Sequence, residues 1–383
     1  MSRQVKHFGK VSGILLLCLT LLFSIRILFA QHENNPALSA EHSEVTEPES
    51  LNKQDHSKES EKFNAGELIM EHIADAYDWH LWGHTAIHLP IILYSDKGID
   101  IFSSGNFEHG HAVYHGKHDY KIDKGHIKIV DENGVVDEPA TAGLWDISIT
   151  KNVLSIFTTI GLMLWMFLSA AKGYQRNPGK APKGMQSLVE PLIIFVRDEI
   201  AKASIGEKKY HRYLPFLLTA FFFIWISNLL GLIPIIGGAN VTGNIAVAMT
   251  LAVIVFIITL FSGNANYWKH IVAMPGVPVG VLVLLTPIEI LGVFLRPFVL
   301  MIRLFANILA GHIIALSFFS LIFIFAEMNT GLGFGVSVLS ILFTVFMGFL
   351  ELLVAFLQAY VFTLLSAMYF GAATEEHHHE EGH

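Results

Sequence analysis

Cysteine and charged side chains are both scarce in this 383-residue sequence. The single cysteine, Cys18, excludes an intrachain disulfide. Charged residues make up only 15% of the chain, too few for the surface of a soluble globular protein of this length. A Gly-x-x-x-x-Gly-Lys loop, the motif that cradles nucleotide phosphates, is also absent. We therefore expect neither ATP chemistry nor a catalytic site on this chain.

Apolar residues make up 52% of the sequence, and this fraction indicates a membrane protein. The formal net charge of -8 is concentrated outside the apolar runs, in residues 31–148 and in the tail 374–383. An acidic chain without a basic patch gives no indication of a nucleic-acid partner. No motif indicates a cofactor. Histidine is the exception to the sparse polar composition, with 20 in all.

The first 142 residues divide into three predicted segments. Residues 1–30 resemble a secretory signal peptide, with a basic start and an apolar run; the alternative is an uncleaved signal anchor, because Leu28 fits a cleavage site poorly. Residues 31–62 are rich in Glu, Ser and His and are predicted to be disordered. Residues 63–142 are predicted to form a small extracytoplasmic domain, with a helix at about 66–90 and a strand and turn near Asn133-Gly134.

Residues 143–373 are predicted to form an all-α polytopic membrane domain with about five membrane helices. Three runs have the length of one span each, at about 150–171, 213–236 and 244–262. Residues 185–205 carry charges typical of a helix that lies on the membrane surface. The loop at 172–184 contains four basic residues and no acid, so the positive-inside rule places it, and the C-terminus, in the cytoplasm.

Two further apolar runs, 278–325 and 332–373, are each about twice as long as the roughly 30 Å hydrocarbon layer requires. They must be steeply tilted or broken into two spans each. Glycines at 331, 333 and 335 separate them, and this predicts the turn of an antiparallel hairpin.

Polar residues within the two long runs fall into register. Spacings of seven, seven and four place one stripe on the first run, consisting of Glu289, Arg296, Arg303 and Asn307. If the runs fold back near residue 331, His312 lies opposite Glu351 and Arg303 lies opposite Gln358. Each charge in a span costs about 2.5–3.5 kcal/mol on insertion scales, and such residues usually mark an ion pathway. A structural ion pair that locks the hairpin is the alternative for His312 with Glu351.

The stretches "RLFANILAGH", "ELLVAFLQAYVFTLL" and "MYFGAATEEH" closely resemble subunit a of F-type ATP synthase. The resemblance covers about residues 143–376 and includes "NLLGLIP" and "TGNIAVAMTLA". It implies a membrane stator that conducts protons to a rotating ring of c subunits, with Arg303 facing the ring carboxylate. It further implies roles on the proton path for the five other matching residues, which are Asn307, His312, Glu351, Gln358 and Glu289.

The resemblance also implies a location and partners. The expected location is the bacterial inner membrane, with the N-terminal domain outside the cytoplasm. The expected partners are the c-ring, the subunit b peripheral stalk, the soluble ATPase head and the lipid bilayer. A secondary transporter of protons or metal ions is the alternative function, since it would use the same buried charges; the internal repeat typical of such transporters is not evident.

His80, His84 and His88 recur every four residues and would share one face of the predicted helix. Three hypotheses follow. The histidines hold a metal ion, together with a further ligand from His109, His111, His115 or His118; or they collect protons at the channel mouth, because histidine titrates near neutral pH; or they are solvated and pack the small domain.

Overall fold

The computed structural model describes residues 66, 74–82, 85–110, 112–123, 125–176, 180–233, 241–272, 274 and 277–375. The predicted signal segment at 1–30 and the predicted linker at 31–62 lie outside the described residues, as does most of the tail. The described chain contains a region of short strands followed by a series of long helices.

Residues 74–150, which we call the β domain, are built from eight short strands. In chain order they are β1 (Asp78–Trp82), β2 (Thr85–His88), β3 (Pro90–Ser95), β4 (Gly98–Ser103), β5 (Tyr114–His115), β6 (Asp119–Asp123), β7 (His126–Val130) and β8 (Trp145–Asp146). They form a β1-β2 hairpin and two antiparallel three-stranded sheets, in the orders β4-β3-β8 and β5-β6-β7. Helix α1 (Glu138–Ala142) follows β7.

The core of the β domain follows from the alternation of side chains along its strands. In β3, Ile91 and Leu93 are fully buried whereas Tyr94 is exposed, as the period of two requires. Phe107 and Tyr120 complete the core from other elements and are also fully buried. A tight turn at Gly134, which has a φ of +76°, follows β7 as the Asn133-Gly134 pair predicts.

The helix predicted at about 66–90 is wrong over its described C-terminal half, where the chain forms β1, β2 and the start of β3. Asp78 pairs with His88 and His80 pairs with Ala86 across the β1-β2 hairpin. A four-residue histidine spacing fits a helix, but it fits a tight hairpin equally well. The aromatic and β-branched residues of "DWHLW" and "TAIH" favour strands, and this preference prevails.

Within the described chain, seven α-helices of eight or more residues follow the β domain. We label them α2 (Lys151–Arg176), α3 (Met185–Phe195), α4 (Tyr210–Gly231), α5 (Ile245–Ser262), α6 (Ala265–Val272), α7 (Val279–Met328) and α8 (Thr330–Thr374). Within the described chain, five helices are long and apolar enough to cross a membrane, namely α2, α4, α5, α7 and α8. The described fold is thus mostly helical, as predicted, with strands confined to the β domain.

Helix α3 continues through a π-helical segment, Val196–Lys202, that carries most of the charges predicted for a surface helix. Asp198 accepts hydrogen bonds from Arg197, with N–O distances of 2.8 and 2.6 Å, and pairs with Lys202 at 2.9 Å. The hydrogen bonds from Arg197, and to a smaller extent the one from Lys202, hold the pKa of the Asp198 carboxyl well below its usual range.

The two long apolar runs are single helices, α7 with 50 residues and α8 with 45. At 1.5 Å per residue they are about 75 and 68 Å long, so each can remain in a hydrocarbon layer of about 30 Å only if it is tilted. The alternative of two spans in each run is wrong, because no residue inside either helix leaves the helical conformation.

The turn of the hairpin lies at Asn329, not at the glycines. Asn329 is the only residue between α7 and α8, and its side-chain Oδ1 accepts a hydrogen bond of 2.8 Å from the Gly331 amide. Gly331, Gly333 and Gly335 belong to the first turns of α8. A Cβ on Gly333 would lie 2.7 Å from the Ala326 Cα, so this glycine permits close approach of the two helices.

Candidate functional site

The polar stripe of α7 borders the face by which this helix packs on its neighbours. Leu300 and Leu304 are almost fully buried, whereas Arg303 and Asn307 are exposed. The four residues lie within two helical turns, so the guanidinium emerges beside the packed face. Within the described chain, no acceptor is hydrogen-bonded to the Arg303 side chain, and no carboxylate is paired with it. An exposed permanent cation thus stands on a membrane helix.

Gln358 on α8 lies against the same point of α7. Its side chain is only 4% exposed, and Nε2 donates a hydrogen bond of 3.1 Å to the Arg303 main-chain carbonyl. That carbonyl belongs to the residue that the hairpin register predicts as the partner of Gln358. The Gln358 amide therefore anchors the backbone of α7 at Arg303, while the guanidinium remains on the exposed face of the helix.

Glu351 lies two helical turns before Gln358 on α8, and its carboxylate packs against Gly311. A Cβ on Gly311 would be 3.1 Å from Glu351 Oε1, so glycine at this position makes room for the carboxylate. Oε1 is buried and has no hydrogen-bond partner in the described chain. The predicted register thus brings Glu351 to the residue that precedes His312, a half-buried side chain.

Arg296, one heptad before Arg303, is held by two tyrosines that the sequence did not indicate. Its Nη1 donates a hydrogen bond of 3.3 Å to the Tyr267 hydroxyl of α6, and its guanidinium carbon lies 5.6 Å from the centre of the Tyr369 ring of α8. Glu289, one heptad further toward the start of α7, is half-buried. The stripe therefore continues from Arg303 toward the N-terminal end of α7.

A second polar cluster joins the packed helices behind the stripe. Asn228 of α4 donates a hydrogen bond of 3.3 Å from Nδ2 to the Ala355 carbonyl of α8, and its Oδ1 accepts one from the Thr242 hydroxyl. Asn228 and Thr242 are both buried. Asn244 caps α5 by accepting a 2.9 Å hydrogen bond from the Ala246 amide. These asparagines and the threonine belong to the stretches "NLLGLIP" and "TGNIAVAMTLA" and fix α4 and α5 relative to α8.

The histidine triplet does not share a helical face. His80 lies on β1 and His88 on β2, and His84 lies outside the described residues. His88 Nδ1 is 2.9 Å from Asp78 Oδ1, and His118 Nε2 is 2.7 Å from Asp96 Oδ1. The hydrogen bond from His118 lowers the pKa of Asp96 below its usual range. No group of three metal-ligating side chains occurs among the residues that the structure describes.

Comparison with known families supplies two matches. The ATP synthase A chain family model matches residues 153–371, which include α2 to α8 almost entirely. A second model, a domain of unknown function (DUF8433), matches residues 68–147 and so covers most of the β domain.

Three curated relatives illustrate the similarity. ATP synthase subunit a 2 of Chlorobaculum tepidum is 44% identical over 245 residues, which cover 62% of this chain and 67% of that protein. ATP synthase subunit a of Chlorobium phaeobacteroides strain DSM 266 is 38% identical over 296 residues, covering 73% and 83%. The subunit a of Anaeromyxobacter sp. is 33% identical over 335 residues, covering 83% and 73%.

Proposed function

This chain belongs to the ATP synthase A chain family, the proton-translocating membrane subunits of that enzyme, and from this premise we propose that it contains two offset half-channels. Each half-channel would connect one side of the membrane to a carboxylate on a rotating ring of c subunits. Family membership also argues against the alternative of a secondary transporter. The match covers the helices that carry the buried charges, so the role of subunit a explains those charges.

Arg303 is the residue that we place opposite the ring carboxylate. Its guanidinium is permanently protonated and lies exposed beside the packed face of α7. A fixed cation at this point favours the ionised form of a carboxylate that passes it, so the carboxylate must release its proton there. Because Arg303 itself does not release a proton, protons cannot pass along the subunit alone. They must travel with the ring.

Glu351 and His312 are proposed to form the outer half-channel and Glu289 the inner one. Two observations support this role: a buried Glu351 oxygen has no hydrogen-bond partner among the described residues, and Gly311 has no side chain to displace the carboxylate. A carboxylate in such a position can accept and release a proton. Histidine titrates near neutral pH and suits the relay. Asn307 follows Arg303 by one helical turn and would contact the same ring surface.

Gln358 is proposed to position Arg303. Its hydrogen bond to the Arg303 carbonyl fixes the height of the guanidinium on α7 without neutralising the charge. The observation that carries the whole proposal is this combination on a membrane helix: an anchored backbone, and an exposed guanidinium that forms no ion pair within the described chain.

The ring and lipid are proposed to share the large exposed surface of α7 and α8. Bulky apolar side chains such as Leu284, Val338 and Phe349 are about 70% exposed on these two helices. A soluble protein would not leave such a surface uncovered. Subunit b of the peripheral stalk and the soluble ATPase head are the further partners that the family implies. We place the β domain outside the cytoplasm and the C-terminus inside, as the basic loop at 172–184 indicates.

Substitution of Arg303 tests the proposal. We expect Arg303→Ala to abolish proton-driven ATP synthesis in membrane vesicles while the complex still assembles. Arg303→Lys should fail as well, because lysine can lose its proton in a desolvated site and lacks the planar fork of guanidinium. Arg176→Ala, which removes an exposed arginine at the end of α2, is the matched control and should retain synthesis. Wild-type coupling in either Arg303 variant would contradict the role.

A further inference from the structure

A basic cavity opens where three membrane helices end. The segment before and within the first turn of α4, the end of α5 and the end of α8 enclose a cavity of about 510 Å³. Four basic residues line it, Lys208, Lys209, His211 and Arg212, together with polar residues that include Ser262 and Asn264. A cavity of this size lies within the range of small-ligand sites, roughly 300–1,000 Å³.

Among the residues that the structure describes, no carboxylate in the lining balances the charge of the cavity. The described residues of its lining include no acid. Within the described chain, Lys208 and Arg212 form no ion pair with any carboxylate. The acids nearest in sequence, Glu207 and Glu375, are exposed and lie outside the lining. The described lining therefore carries a net positive charge that an anion would neutralise.

The position of Lys208, Lys209 and Arg212 before and within the first turn of α4 is itself unfavourable. The N-terminus of a helix carries a partial positive charge, so cationic side chains there destabilise the helix and anions stabilise it. Lys209 occupies the capping position of α4 and forms no side-chain cap hydrogen bond. Its Nζ instead donates a 2.6 Å hydrogen bond to the Thr374 carbonyl at the end of α8, which gives this ammonium group a protein acceptor. Lys208, His211 and Arg212 have no such partner in the described chain.

The depth of the cavity in the membrane indicates that the anion is part of a lipid. Three spans end at the cavity, so its mouth lies where hydrocarbon gives way to water. Helix α6, which follows the end of α5, has the composition of an interfacial helix, with Trp268, Lys269 and Val272 all exposed. Phospholipid phosphates lie at this level. A phospholipid can therefore place its headgroup in the cavity while its acyl chains remain in the bilayer.

We propose that this cavity binds the phosphate of an anionic phospholipid, held by Lys208 and Arg212 at the N-terminus of α4. The lipid would relieve the unfavourable charges of α4 and bridge the ends of α4, α5 and α8. This site does not depend on the proton path.

The test uses the full chain in lipid nanodiscs of phosphatidylcholine, with and without phosphatidylglycerol. Bound lipid is counted by native mass spectrometry, and the midpoint of thermal unfolding is recorded. Phosphatidylglycerol should bind and raise the midpoint of the wild-type chain. In Lys208→Gln/Arg212→Gln its affinity should fall about tenfold or more, because two charge-assisted hydrogen bonds are lost. Lys209 is left intact because it bonds to α8.

The matched control is Lys180→Gln/Lys183→Gln, which removes two exposed positive charges from the preceding loop, outside the cavity. It should bind phosphatidylglycerol as the wild type does. Equal binding by the cavity variant and the wild type, or equal loss in the control, would overturn the site. Stabilisation by inorganic phosphate alone in phosphatidylcholine discs, to the same extent as by phosphatidylglycerol, would overturn the lipid as its source. If the double variant does not fold, the two single substitutions decide, since each should weaken binding.

Discussion

Tyr120 illustrates how one buried residue makes the β domain sensitive to alkaline pH. Its side chain is fully buried, and its hydroxyl donates a 2.8 Å hydrogen bond to Asp100. Burial, and then this hydrogen bond, raise the pKa of Tyr120 well above its usual value. The folded state therefore retains the neutral phenol, while the unfolded chain ionises above about pH 10. The stabilisation is complete below that pH and is lost as the pH rises further.

We predict that the free energy of unfolding of the β domain falls by about 1.4 kcal/mol per pH unit above pH 10 through this residue. Urea unfolding of a fragment spanning residues 63–150, at pH 8 and pH 11, measures it. Tyr120→Phe should remove this part of the pH dependence and cost roughly 1 kcal/mol or more at pH 8. Tyr94→Phe, which removes the hydroxyl of a half-exposed tyrosine, serves as control. An unchanged slope in Tyr120→Phe would refute the assignment.

Single residues also differ in how far the sequence predicts them. Arg303 and Gln358 were predictable because a polar side chain in a long apolar run is costly, and the hairpin register then brings the two together. Asn228 was not, because its partner is a main-chain carbonyl 127 residues away, and such a bond leaves no local pattern. The prediction that the three histidines share a helical face was wrong for a different reason: a spacing of four does not distinguish a helix from a tight hairpin.

Among the elements, α7 and α8 need glycine where the two helices pack closely. The turn between them is formed by Asn329 instead. Gly333 approaches Ala326 so closely that a methyl group would meet its backbone. At Gly335, two residues later on α8, a methyl group would have no neighbour within 4 Å. The sequence does not reveal which of the two glycines is in close contact with α7. The structure shows that Gly333 is and that Gly335 is not.

We predict that Gly333→Ala destabilises the hairpin by about 1–3 kcal/mol, because the helices must move apart. Gly335→Ala should be neutral or stabilise α8 by up to about 1 kcal/mol, since alanine favours a helix. The midpoint of thermal unfolding in detergent, followed by helical circular dichroism, compares them. Equal midpoints for the two variants would show that the close contact with Ala326 contributes nothing.

At the scale of the whole molecule, the sequence predicted the membrane helices better than the β domain. Long apolar runs are set by the thickness of the bilayer, and α2, α4 and α5 begin and end within a few residues of the expected spans. The strands of the β domain are only two to six residues long, so each shows little alternation, and β3 pairs with the distant β8 as well as with β4. Whether α7 and α8 are each one helix or two also lay beyond the sequence, because length alone permits both.

The exposed guanidinium of Arg303 has a consequence for the life of the chain before it joins its complex. If the ring covers Arg303 in the complex, as proposed, a newly inserted chain without the ring presents this charge to lipid, at a cost of about 2.5–3.5 kcal/mol on insertion scales. We infer that this exposed charge marks the unassembled chain, the orphan, for degradation. We predict a shorter half-life in cells that lack the c subunit, measured by pulse-chase labelling. Arg303→Leu should lengthen the orphan's half-life, although it abolishes coupling; an unchanged half-life would mean that another surface marks the orphan. The charge that we propose to face the ring would then also limit the lifetime of the unassembled chain.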